Sequence, residues 1–458
     1  MAHTTDIGGC ETTLPTAAVT PWNDTVHAFL AHGAATPQHL GRTLAAAPDF
    51  AQGHAAKCLF SLLLGRRELV QTASDCLAAA QDAARRVPPN AREGAYVTAL
   101  EAWLTGRPSQ AAAVLEAVLA GHPRDALAMK LVQAIRFVLG QPEAMRHSIE
   151  GISDSWADHP ALGYLKGCYA FTLEETGDYA AAETAGREGL LLARDDAWGL
   201  HAVAHVYDMT ARAGDGLYWL SGQTEAWEHC NNFRYHVWWH IALMHLDQGD
   251  YASALELYDS KIRADRTDDD RDISNATSLL SRLEIEGVDV GARWEELAEL
   301  AGHRTDDGSL VFADLHYMLA LIGGHREHAQ AELLGRMAGD AGRGESEIDR
   351  LMARPGLSAA NGLEAFGEGQ YAEAFLNLNA ARRDMQSIGG SHAQRDVFER
   401  LTIEAALRGG YLNAAERMLA DRTRKRGGAV DGYTSRRMDL ICAARQNALH
   451  RNAEERRA

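Results

Sequence analysis

Basic charge is in short supply in this chain. Its 45 Lys and Arg face 63 Asp and Glu, a formal net charge of −18 at pH 7. That excludes a general nucleic-acid binder, which needs a basic face, and docking on an anionic membrane. Long apolar runs are also missing: no stretch approaches the ~18 residues of a membrane span. The first twenty residues have neither a basic start nor an apolar core, so they do not read as a secretory signal. The six cysteines include no CxxC pair, which points to a reducing cytoplasm and idle thiols. Strand-like alternation, a P-loop, GxGxxG, GxSxG, HExxH and zinc-finger spacing are all absent, leaving no conventional nucleotide site or serine triad. Only 11 of the 458 residues are proline, so little interrupts helix.

What is present is a period. Gly106, Gly140, Gly177, Gly214 and Gly249 recur at steps of 34, 37, 37 and 35 residues. That is the tetratricopeptide interval, two antiparallel helices per unit. Gly177-Asp178-Tyr179 and Gly249-Asp250-Tyr251 read as turns between paired helices. Five positions after the glycine comes a small residue, Ala111, Ala182 or Ala254, where the two helices must approach closely. The signal returns at Gly369 and Gly409, and weakens around Gly324. The runs 265–272 and 335–344 read as loops. The expected fold is therefore all-α: tetratricopeptide-like helix pairs in a curled right-handed solenoid. A flexible leader covers 1–20 and a single solenoid 21–458, with central groove units at 160–262 and C-terminal repeats at 356–458.

Two histidine pairs stand out, His201/His205 and His236/His240, each at i and i+4 and so on one face of a helix. They lie 13 and 9 residues before Gly214 and before Gly249, respectively, which suggests the same rungs of adjacent units. Facing helices ~8–10 Å apart can share an ion through imidazoles. Neutral imidazoles with a carboxylate suit a divalent transition metal such as Zn²⁺, Mn²⁺ or Fe²⁺. His316, with Asp314, forms a D-x-H that would add a further ligand if the array curls round. A lone histidine is more often a packing residue, and chance i,i+4 pairs are expected among 20 histidines; the shared register weighs against that for the four.

The sequence resembles the tetratricopeptide repeat protein 38 family over most of its length. The blocks that carry the resemblance include His122-Pro-Arg-Asp125, Asp196-Ala-Trp198, His201-Ala-Val-Ala-His205-Val-Tyr-Asp208, His236-Val-Trp-Trp-His240, Phe312-Ala-Asp314-Leu-His316 and Gly389-Gly-Ser-His-Ala-Gln394. The resemblance implies a repeat fold and leaves the activity open. In known repeats of this fold, ligands meet the first helix of each unit. That carry-over puts Tyr164, Cys168, Asp396, Glu399 and Arg400 in the groove with the histidines.

Two functions follow as expectations. One is a metal-dependent hydrolase or lyase acting on a small molecule in the concave cavity. There Asp208, Asp314 or Asp396 serves as general base, Arg395 or Arg400 holds an anionic group, and Tyr164, Cys168 and Glu399 line the site. The other is a non-catalytic scaffold that binds a peptide or protein partner. A second copy of the chain is a further candidate partner. An imidazole- and acid-rich groove favours the enzyme, because peptide-clamping grooves are usually rich in Lys, Arg and Asn.

Overall fold

The computed structural model describes residues 4–455. Apart from a two-residue hairpin, Thr4–Thr5 against Glu11–Thr12, its regular structure is helical throughout the described residues. The helices form antiparallel pairs, as in Leu162–Glu175 with Tyr179–Leu192 and Phe233–Asp247 with Tyr251–Leu257. The fold is an all-α, tetratricopeptide-like helical-repeat solenoid.

The local chemistry of the turns explains the pairing. Gly177 takes φ +85°, a left-handed value that ends the first helix, and Asp178 then caps the second by accepting from Ala181 N–H. Gly249 (φ +78°) and Asp250, bonded to Ser253 N–H, do the same. Ala111, Ala182 and Ala254 are fully buried at the close-packed rung, as the spacing required.

One step of the period is corrected. Gly214 does not close the His201 helix. It lies inside the next helix, Ala213–Leu220, while Ala197–Met209 ends earlier and Ala211 supplies the left-handed turn (φ +54°). Gly216, five residues on, fills the small rung: a Cβ there would sit 2.7 Å from Met244 Sδ. The two histidine pairs therefore do not share a register counted from the turn. Elsewhere the turns fall at Gly410 rather than Gly409 and at His325 rather than Gly324.

Three expected loose segments are ordered where described; residues 1–3 of the leader lie outside the described residues. Within the leader, Asp6 pairs with Arg92 at 2.9 Å, Thr12 donates to Glu93, and the helix Thr16–Leu30 has already begun. The acidic run turns into helix at Asp270, capped by Asp269, and the glycines at 335–343 belong to the helix Glu327–Arg343.

The array folds back on itself. The turn ends of the first helices meet the later repeats: Arg66 with Asp268, Gly140 with Gln386, Glu175 with His392, and Asp208 with Arg426. Charged groups beside these contacts are thus enclosed between the two halves.

Candidate metal centre

The first helices of three consecutive units, Leu162–Glu175, Ala197–Met209 and Phe233–Asp247, lie side by side, with Asp270–Ile285 next in line. The first two are drawn together by paired glycines. A Cβ on Gly199 would lie 2.9 Å from Gly167 Cα and 2.5 Å from Asp196 Oδ2. That close approach brings the carboxylate of Glu174 to the ring of His205.

His201, His205, His236 and His240 are all buried and each turns its Nε2 atom inward. The Nε2 separations are 2.8 Å for His205–His201, 2.9 Å for His236–His201 and 3.2 Å for His240–His236. Phe171, Trp198, Phe233 and Trp239 wall the cluster, with ring centroids 5.1–5.7 Å from His201, or 5.2 Å from His236 for Trp239. Of the outer nitrogens only that of His236 has a hydrogen-bond acceptor in place; those of His201, His205 and His240 are buried without one. His236 Nδ1 lies 3.2 Å from Asn275 Oδ1, an acceptor, and His205 Nδ1 lies 3.4 Å from Glu174 Oε2. With protons on those outer nitrogens, the inner ones present lone pairs to one another.

Protons cannot satisfy this arrangement. Each Nε2 has one in-plane site, either a hydrogen or a lone pair. The contacts run His205–His201–His236–His240, so His201 and His236 would each have to serve two contacts with one site. At most two of the three contacts can be hydrogen bonds. A cation at the centre takes all four lone pairs. Four ligand atoms ~2.0–2.1 Å from such an ion are ~3.3–3.4 Å apart, so the three close contacts need to open by only a few tenths of an ångström.

The electrostatics agree. Burial, with the neighbouring imidazoles, holds His201 and His240 well below the ordinary histidine range, and burial brings His236 down to about 3. These three are neutral and ready to ligate at neutral pH. His205 is the exception: burial pulls it down, but Glu174, then Glu175 and Asp208, outweigh that and raise it.

The structure does not bring the other expected site residues to this point. His316 lies apart, its Nδ1 2.7 Å from Phe312 O and its ring between Phe312 and Phe398. Burial takes it down to about 3. Asp314 is ion-paired with Arg336, though burial still raises it to about 6. Asp396 lies 2.7 Å from both Arg400 and Arg422; they outweigh burial and hold it well below the usual carboxylate range. Neither acid stands free as a general base. Glu399 is engaged by Arg382 and Asp208 by Arg426. Tyr164 donates to Asp195 at 2.7 Å. Cys168 has a basic neighbour, Lys130 Nζ at 3.9 Å, but burial pushes the thiol up to about 11. Arg395 comes nearest to its expected place, 3.3 Å from Glu175 Oε2.

Residues that sequence reasoning passed over complete the surroundings. Glu174 and Glu175 come just before the Gly177 turn, where adjacent acids read as a solvated helix end. Asn275 carries no local signal. Lys130 is buried over the Trp198 ring at 4.9 Å.

The molecule is thus a tetratricopeptide-like solenoid with a buried tetra-imidazole cluster between adjacent repeats. No protein-family model matches the chain. Among solved structures, one described as the human IFIT1 dimer with PPP-AAAA is similar at 13% identity and a TM-score of 0.40, covering 86% of this chain and 94% of that chain. No described helix is long and apolar enough to cross a membrane.

Proposed function

We propose that the protein is a metalloprotein, holding one divalent transition-metal ion (Zn²⁺, Mn²⁺ or Fe²⁺) on the Nε2 atoms of His201, His205, His236 and His240. The observation that carries this reading is the set of four buried inner nitrogens whose contacts protons cannot satisfy. Four neutral ligands leave the ion's double charge intact, the condition for polarising a carbonyl or activating water. A small-molecule substrate would approach past Trp198, Phe233 and His32, which are only partly buried and stack on one another beside His201. Hydrolase or lyase chemistry is the activity this supports. The repeat blocks around the histidines support placing the chain in the tetratricopeptide repeat protein 38 family. Free cysteines, five of six buried, fit a cytoplasmic setting.

A second reading has its own support. Four protein ligands fill a tetrahedral shell, and a filled shell is the mark of a structural site. The ion would then staple two repeats of a scaffold that binds a peptide or protein partner. Cobalt substitution separates the two. We expect near-stoichiometric metal in the purified protein, and a Co²⁺ form whose visible spectrum shifts when azide is added, because the catalytic reading needs an open position. A Co²⁺ spectrum indifferent to azide favours the staple. Protein that is metal-free and cannot be reconstituted sinks both.

A further inference from the structure

We propose that Glu174, Glu175 and the outer nitrogen of His205 form a second cation site, so that His205 bridges two divalent ions through its two ring nitrogens. The inner nitrogen of His205 belongs to the tetra-imidazole cluster. Its Nδ1 faces the other way, into a pocket of carboxylate oxygen. One ligand atom from each of Glu174, Glu175 and His205 falls within 4.8 Å of the others.

Glu174 is the telling residue. It is fully buried, and neither of its oxygens has a hydrogen-bond partner. His205 Nδ1 is likewise buried and without one, because the 3.4 Å approach of Glu174 Oε2 misses hydrogen-bond geometry. That separation matches two ligands ~2.1 Å from a common ion at the tetrahedral angle. Without an ion, only the raised His205 offsets this buried carboxylate, at 3.4 Å and without a hydrogen bond; a divalent cation would neutralise it directly. Glu175 is better provided for: His392 N–H donates to Oε1 at 2.7 Å, and Arg395 reaches Oε2 at 3.3 Å. Each of its oxygens keeps a further lone pair. The mixed oxygen and nitrogen set suits the same class of ion as the first site. Occupation requires the His205 Nδ1 proton to leave for solvent, converting the ring to a bridging imidazolate. The bridge rests on the tetra-imidazole reading through His205; the carboxylate site itself does not.

The test uses the full chain, stripped with a chelator, reconstituted with Zn²⁺ alone, desalted and analysed for metal. Two ions per chain are expected in the wild type and one in Glu174→Gln. His240→Ala, which touches only the first site, should lose one ion and keep the other. A single ion in the wild type overturns the bridge. If that ion survives Glu174→Gln and is lost in His240→Ala, the tetra-imidazole site stands alone. If it survives His240→Ala and is lost in Glu174→Gln, the carboxylate site stands and the tetra-imidazole reading falls. Loss in both variants means Glu174 only orients His205. Should Glu174→Gln fail to fold by circular dichroism, Cu²⁺ titration of the wild type decides: the paramagnetic signal should fall between one and two equivalents as coupling across the imidazolate sets in. Two additive signals would overturn the bridge.

Discussion

Two buried polar regions sit in neighbouring parts of the solenoid, and they are built on opposite principles. Around Asp396, acids meet arginines: Arg400 and Arg422 on Asp396, Arg422 on Asp431, Arg426 on Asp208, Arg437 on Glu404. Around His201, like meets like: four imidazole nitrogens converge, and the nearby Glu174 has no donor. The first region balances its charges by ion pairs and ties the C-terminal repeats to the rest. The second leaves buried nitrogens and a carboxylate unmatched, which the proposed cation would match. Burial alone therefore does not mark a site; unmatched burial does. Both regions were expected to carry chemistry, and the matched one is better understood as structure.

Substitutions should separate the two. The largest effect is expected on metal: His201→Ala should lower affinity by at least ~100-fold, more than loss of an outer-shell partner costs, whereas His316→Ala should leave metal content unchanged. Elemental analysis after dialysis measures both, and metal loss in His316→Ala would erase the distinction between the regions. Next in size, Asp396→Ala leaves Arg400 buried without its carboxylate and Arg422 with Asp431 alone, and should cost about 3–5 kcal/mol in a denaturant melt with metal retained. A loss under ~1 kcal/mol would show the arginine network to be dispensable.

Acid should expose the unmatched region. The folded-state values of His201, His236 and His240 are depressed, so below pH ~6.5 the unfolded chain binds protons the metal-free folded chain does not. Stability falls as pH falls from ~6.5 toward the His236 value of about 3, by up to ~1.4 kcal/mol per pH unit for each such histidine. His205, raised, opposes this and favours the folded state as pH drops through its own range. Melts of the metal-free protein between pH 7 and 5 should decline; a flat profile would mean the imidazoles are not buried and neutral.

Two smaller predictions concern the repeat frame. Ala254→Leu overfills the close-packed rung after Gly249 and should cost about 1–3 kcal/mol in a thermal melt. Ala211→Gly should stabilise by ~0.5–1 kcal/mol, because Ala211 holds a left-handed φ that glycine adopts freely. If Ala211→Gly destabilises, the turn assigned to that unit is wrong.

The sequence alone determined the helical-repeat architecture, since turn glycines, capping aspartates and small rungs act within a few residues of one another. Gly177-Asp178-Tyr179 ends one helix and caps the next wherever it is placed. It determined the histidine pairs as well, because i and i+4 share a helix face in any context. The equal distance to Gly214 was coincidence, for the His201 helix ends nearly a turn early at Ala211. What brings the pairs together is the packing of adjacent first helices, aided by the close approach of Gly167 and Gly199. Which charged residues find partners depends on how the helices pack. Asp396 and Glu174 are both acids on first helices; Arg400, four residues after Asp396, is the one local cue that tells them apart. Arg422 reaches Asp396 from a later helix, and nothing but His205 comes that close to Glu174. Such matching depends on contacts between helices, and these exist only once neighbouring helices have packed.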